Sequence, residues 1–109
     1  MALLKGTLDV LVLKALSWGP MHGFEITAWL EERSGGELTI VDAALIQSLH
    51  RMEERSLIEA EWGRSSNGRR ARFYRLTAVG RATLEAESAA LVHHMSALAT
   101  VLTARSLEP

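Results

Sequence analysis

The sequence contains no cysteine and no apolar run long enough to cross a membrane. Without cysteine the chain forms neither a disulfide framework nor a zinc site built on thiolates. The most apolar stretch, 8–16, is interrupted by Asp9 and Lys14, is too short to span a bilayer and lacks the cleavage pattern of a signal peptide. We therefore expect a soluble, cytoplasmic protein that makes no membrane contact.

The arrangements that catalysis and metal binding require are also missing. No glycine-rich phosphate loop is present, and the neighbouring glutamates at 31–32 and at 53–54 diverge when they are placed on a helix. His93 and His94 are adjacent and point to different faces of a helix, so they cannot hold one ion as an i, i+4 pair would. We therefore expect neither an enzyme nor a bound metal or other cofactor.

Acidic residues are absent from one long stretch, and this absence is more informative than the net charge. The formal net charge of the 109 residues is −1, yet the stretch 64–81 holds six arginines and no Asp or Glu. A local positive patch attracts phosphate whatever the total charge of the molecule is. This stretch is therefore a candidate surface for nucleic acid.

Apolar periodicity predicts three helices followed by a hairpin. The first helix, over 7–17 with Thr7 as its N-cap, is apolar nearly all round and should be buried on several sides. The second and third run over about 22–33 and 42–55. Apolar residues then alternate with glutamates, and an Asn-Gly turn and a return strand complete a hairpin over 58–76. Helices followed by such a hairpin are typical of a winged helix-turn-helix.

The third helix is the candidate recognition helix, because the second helix of a helix-turn-helix pair lies in the major groove of DNA. Leu45, Leu49 and Met52 form its predicted core stripe, and the opposite face carries the candidate base-contacting residues. These are Ala43, Ala44, Gln47, His50 and Arg51. Gln pairs with adenine, Arg pairs with guanine, and Ala contacts a thymine methyl. The alternative interpretation is an ordinary solvated helix face.

The hairpin favours DNA over that alternative. Five arginines lie on or beside it with no acidic residue among them. They are Arg64, Arg69, Arg70, Arg72 and Arg75. Arginines so close together repel one another unless an anion is near, so the ribbon suits phosphate contacts and its tip suits the minor groove. The alternative is an ordinary solvated charge run.

The last predicted element is a helix over about 77–103 with a heptad-like apolar stripe, which is typical of helix pairing. The stripe comprises Leu84, Leu91, Met95, Leu98 and Leu102. The first helix of the same chain can cover part of a helix about 40 Å long but not all of it, so we expect a homodimer. The fold class is thus mainly α with a β-hairpin: a winged helix-turn-helix DNA-binding domain over 1–76 and a long C-terminal dimerisation helix over 77–109.

Five short segments occur in order along most of the chain: LKGTLD (4–9), MHGFEI (21–26), LHRME (49–53), IEAEW (58–62) and RRARFYRLT (69–77). Together they resemble the PadR family of bacterial transcriptional regulators, in its short subgroup with a single C-terminal helix. The resemblance implies a winged helix-turn-helix, a homodimer and, usually, repression of a nearby gene. The chain departs from the family where Ile46 and Gln47 replace a Tyr-Pro pair and where Phe24 replaces Tyr, which bears on the operator sequence rather than the fold.

Trp18, Trp29 and Trp62 are half of the aromatic residues. Core packing is the favoured interpretation, since large aromatics dominate small cores. The alternative is that one of them lines a flat-ligand pocket at a dimer interface, although the last helix carries no aromatic residue.

We expect a DNA-binding transcriptional regulator, most simply a repressor that binds a near-palindromic operator. Its expected partners are double-stranded DNA, a second copy of the chain and a small-molecule inducer that releases it. The alternative function is a winged-helix protein-interaction module whose basic wing binds an acidic protein.

Overall fold

The computed structural model describes residues 6–105. Seven elements follow one another: α1 (Thr7–Leu16), β1 (Met21–His22), α2 (Gly23–Arg33), α3 (Asp42–Glu54), β2 (Ile58–Arg64), β3 (Arg70–Leu76) and α4 (Ala78–Leu102). The predicted fold class is confirmed: a winged helix-turn-helix with a long C-terminal helix.

The first helix, α1, lies at the centre of the fold because apolar side chains cover nearly its whole circumference. Val12 and Ala15 are fully buried, and Leu13 and Leu16 are almost so. The helix packs against α2, α3, α4 and β3 at once. The core around it is completed by Ile26, Leu30, Ile40, Leu45, Leu49, Met52, Leu57, Ile58, Tyr74 and Leu84.

The helix starts agree only in part with the predicted ones. α1 begins after Gly6, whose left-handed φ of 87° suits glycine, so the prediction of Thr7 as N-cap is wrong by one residue. α2 opens with a capping box: His22 Nδ1 accepts the Glu25 N–H, and the Glu25 carboxylate accepts the His22 N–H. α4 is capped by the hydroxyl of Thr77, which accepts a backbone N–H from the first turn at 3.0 Å.

The β2–β3 hairpin, which we call the wing, is confirmed, and a third strand joins it. The wing strands pair antiparallel from Ile58 opposite Leu76 to Arg64 opposite Arg70. The two-residue strand β1 pairs with the other edge of β3, which gives the order β1-β3-β2. Two residues are too few to show an alternating pattern, so the sequence contains no periodic signal for β1.

The tryptophans correct one interpretation. The side chains of Trp18 and Trp62 are 65% and 58% exposed, so core packing is wrong for both. Trp29 is half-buried against the core. The Arg33 guanidinium carbon lies 5.1 Å from the centre of the Trp29 ring and 5.7 Å from that of Trp18, which is cation–π distance.

The stripe predicted on the last helix divides into two parts. Leu84 is buried in the core of its own chain, and Leu91 packs half-buried against that core. Every described side chain from 92 to 105 is exposed, because α4 extends past the body of a molecule that measures 65 × 28 × 22 Å. None of the helices within residues 6–105 combines the length and apolarity of a membrane span.

Gly80, in the first turn of α4, has a packing role that its sequence position does not reveal. A Cβ atom at this position would lie 1.9 Å from the carbonyl oxygen of Leu57, a backbone atom that also accepts the Thr77 N–H. A side chain here would therefore push α4 away from the start of β2.

We predict that Gly80→Ala lowers the free energy of unfolding by about 2–3 kcal/mol, because the new methyl group overpacks a fixed carbonyl. Helix propensity alone would give a gain of about 1 kcal/mol, so the sign of the change is diagnostic. Gly23→Ala in α2 is the matched control, since its Cβ would meet only Leu45 Cδ2, at 3.8 Å. Urea unfolding followed by circular dichroism measures both variants. A Gly80→Ala protein as stable as the Gly23→Ala protein would contradict the close packing.

Candidate nucleic-acid interface

The third helix has the two faces that its sequence predicts. Leu45, Leu49 and Met52 are buried against the body, together with the fully buried Ser48. The residues of the predicted recognition face are all exposed: Ala43, Ala44, Gln47, His50 and Arg51. Ile46 is exposed as well and lies one turn from Ala43 on the same side of the helix, a position that helical spacing alone could have identified.

Arg51 is exposed but is not free, because it is bound to Asp9 of α1. Its Nη2 donates to Asp9 Oδ1 at 2.7 Å, and Ser48 Oγ donates to the same oxygen at 2.5 Å. The hydrogen bond to Asp9 raises the pKa of the Arg51 guanidinium, which therefore stays protonated at physiological pH. The carboxylate thus ties the recognition helix to α1, which makes Arg51 a positioning residue as much as a candidate base reader.

Two wing arginines have acidic partners, so the interpretation of the arginines as unneutralised is wrong for these two. Arg75 Nη2 lies 2.9 Å from Glu59 Oε2, directly across the hairpin, and its Nη1 lies 3.4 Å from Glu61 Oε2. Arg72 Nη2 lies 2.9 Å from Glu53 Oε2 of α3. The partners come from outside the arginine-rich stretch, and strand register and tertiary packing bring them there.

The other three arginines concentrate positive charge at the wing tip. Arg64 Nη1 donates to the carbonyl oxygen of Gly68 at 3.0 Å, and the Arg70 guanidinium carbon lies 4.3 Å from the centre of the Trp62 ring. Arg64 and Arg70 face each other across the hairpin, and Arg69 follows the turn. Within residues 6–105 none of the three forms an ion pair with an acid, and like charges placed opposite each other destabilise a hairpin. The tip therefore carries positive charge that an anion could neutralise.

The arrangement combines a solvent-facing helix carrying hydrogen-bonding and small side chains with a basic ribbon beside it. The Arg72–Glu53 ion pair joins the ribbon to the recognition helix. A helix of this kind fits the major groove of B-DNA, and a basic ribbon fits the phosphates beside it. Among the described residues no group of three or more His, Asp or Glu side chains is placed to hold a metal ion.

Comparisons with known proteins agree with this geometry. Residues 12–86 match the Transcriptional regulator PadR-like family. A PadR-like transcriptional regulator from Bacillus cereus has a TM-score of 0.78 and 23% identity, with 93% of this chain and 96% of that one covered. A PadR family transcription regulator from Clostridium difficile has a TM-score of 0.74 and 26% identity, covering 89% and 99%. Bacillus subtilis PadR in complex with operator DNA has a TM-score of 0.63 and 18% identity, covering 94% and 50%.

The tie between α1 and α3 yields a stability prediction. Asp9→Ala should lower the free energy of unfolding by about 1–3 kcal/mol, because it leaves the buried Ser48 hydroxyl without its acceptor. The double variant with Asp9→Ala and Ser48→Ala should lose less stability than Asp9→Ala alone, since it no longer contains the hydroxyl donor that lacks an acceptor. Glu54→Ala, which removes an exposed acid at the end of α3, is the control and should change stability by no more than about 0.5 kcal/mol. Urea denaturation measures all three, and equal stability of Asp9→Ala and wild type would remove the tie.

Proposed function

This chain belongs to the Transcriptional regulator PadR-like family, and from that premise we propose that it represses transcription by binding a near-palindromic operator in double-stranded DNA as a homodimer. The observation that carries the proposal is the pairing of an exposed recognition face on α3 with a wing tip whose arginines lack acidic partners among the described residues. The B. subtilis relative, whose structure contains operator DNA, supports DNA as the ligand.

Within this proposal the recognition helix reads base edges. Gln47 and His50 lie on the solvent side of α3 and offer hydrogen-bonding groups to the major groove. Ala43 and Ala44, at the start of the helix, allow the backbone to approach the bases closely. Arg51 sets the position of the helix through Asp9, and its second role as a guanine reader requires that it leave this partner.

The wing supplies affinity through the phosphates. Arg64, Arg69 and Arg70 are the proposed contacts, since their charge is not neutralised within the described chain. Arg72 and Arg75 contribute less, because each already holds a carboxylate at 2.9 Å. Of the five wing arginines, the three at the tip are therefore expected to contribute more to phosphate binding than the two nearer the base of the wing.

The C-terminal helix is the proposed dimerisation element, and residues 1–76 and 77–109 are the two functional parts. Its distal half exposes large apolar side chains that the chain itself does not cover: Val92, Met95, Leu98, Val101 and Leu102. A second copy is the simplest cover for such a surface. A two-fold dimer would place two recognition helices about 34 Å apart, which is one turn of DNA.

We also propose release from the operator by a small-molecule inducer. An exposed aromatic surface supports this part: the Arg33 guanidinium carbon lies 5.7 Å from the centre of the exposed Trp18 ring and 5.1 Å from that of the half-buried Trp29 ring. Planar ligands stack on rings of this kind.

The salt dependence of DNA binding tests the function and the grading of the arginines together. Each phosphate contact contributes about 0.9 to the slope of log affinity against log salt concentration. We expect Arg69→Ala to flatten the slope by about 0.9, and Arg75→Ala, the matched control with an ion-paired guanidinium, to flatten it less. Fluorescence anisotropy on a random-sequence duplex between about 50 and 200 mM salt measures both. Failure of the wild-type protein to bind duplex DNA at low salt would overturn the DNA proposal in favour of an acidic protein partner.

The dimer has its own test in the distal half of α4. Leu98→Asp together with Leu102→Asp should produce monomers with little operator affinity, because two charges in the pairing surface must be desolvated. These positions lie outside the chain's own core, so the fold should be retained. Thr100→Asp, on the opposite side of the same helix, is the control and should remain dimeric. Sedimentation at micromolar concentration gives the mass, and a wild-type species of 12.0 kDa, the mass of one chain, would remove the dimer.

A further inference from the structure

A shallow groove of about 420 Å³ lies between the start of α2 and the first turns of α3. Two large apolar side chains border it and are open to solvent: Phe24 is 81% exposed and Ile46 is 54% exposed. The rest of the lining includes Gly23, Thr27, Asp42 and Leu45. The groove is therefore largely apolar and lies at the edge of the recognition face.

The hydrophobic core does not use these two side chains. Neither belongs to the core or packs against it as a partly buried member. A β-branched residue at an exposed helix position also lowers helix propensity relative to alanine. Ile46 lies beside Gln47 and one turn from Ala43. When α3 lies in the major groove so that Gln47 reaches a base, Ile46 therefore enters the same groove of the DNA. An apolar residue at this position therefore needs an apolar group in the major groove of the DNA as its partner.

The major-groove edges of the four base pairs present one apolar group, the C5-methyl of thymine. We propose that Phe24 and Ile46 form a subsite for this methyl group and so require a T·A pair in the operator, a refinement that rests on the proposed function. Asp42 is the charged residue of the lining, and its carboxylate repels phosphate, which favours a base edge over the DNA backbone as the occupant. The start of α2 thereby joins α3 in reading sequence.

The test begins with duplexes selected from a random pool by the wild-type protein. Each thymine of the selected site is replaced in turn by deoxyuridine, which removes the methyl group and leaves base pairing unchanged. Loss of one buried methyl should weaken binding about fourfold per half-site at the position that the subsite reads. Placing 5-methylcytosine against guanine at that position, compared with cytosine, should restore part of the binding, because it returns the methyl alone.

Variants assign the effect to the groove. Ile46→Ala and Phe24→Ala should each bind thymine and deoxyuridine duplexes with nearly equal affinity, while binding to random-sequence duplex stays unchanged. Val79→Ala is the matched control, since Val79 is an exposed β-branched residue in the first turn of α4, and it should keep the fourfold preference. Circular dichroism of each variant checks that the fold is intact.

The possible outcomes distinguish a failure of the thymine-methyl subsite from a failure of the proposed function. Selection that enriches no sequence, with DNA binding unaffected by base identity, overturns the proposed function and the subsite with it. An enriched site at which every thymine can be replaced by deoxyuridine without loss overturns the subsite alone. A change in sedimentation of Ile46→Ala or Phe24→Ala, with thymine preference kept, would show that the groove is covered by protein and would likewise overturn the subsite.

Discussion

The burial of α1 on nearly every side is the constraint on which the rest of the structure depends. A ten-residue helix whose apolar side chains point all round must be covered by several other elements, and here α2, α3, α4 and β3 cover it. Asp9 is one of the polar residues of α1, and its carboxylate faces α3, where it accepts hydrogen bonds from Ser48 and Arg51. The same short helix therefore contacts both the recognition helix and the helix proposed to pair two chains.

Much of the fold follows from the sequence, because long periodic segments report which face is buried. The hairpin over 58–76 and the start of the last helix near Thr77 lie where the sequence predicts them. Properties that depend on distant residues do not follow. Glu59 opposes Arg75 only once the hairpin register is set, and Leu84 is buried because α4 rests on α1. The exposed Trp62 shows the same limit, since an apolar face on a strand needs a partner before it becomes core.

The candidate site shows a similar division. The exposed face of α3 could be derived from helical spacing, because Leu45, Leu49 and Met52 fix which side is buried. The tie of Arg51 to Asp9 could not, since the two residues are 42 positions apart. Composition marked the wing as basic, but only the pairing of Arg72 with Glu53 and of Arg75 with Glu59 shows that the free charge lies at the tip.

This distribution of charge separates affinity from specificity in the proposed complex. With 13 acids against 12 Lys and Arg, the molecule as a whole has little net attraction for DNA, and the proposed attraction is concentrated at the wing tip. Arg51 is the arginine within Asp42–Glu54, and it is bound to Asp9, so the exposed face of α3 adds little to non-specific attraction. Because its small, amide and apolar side chains gain free energy only from base edges of matching chemistry, α3 can discriminate between sequences while the wing holds the protein on any of them.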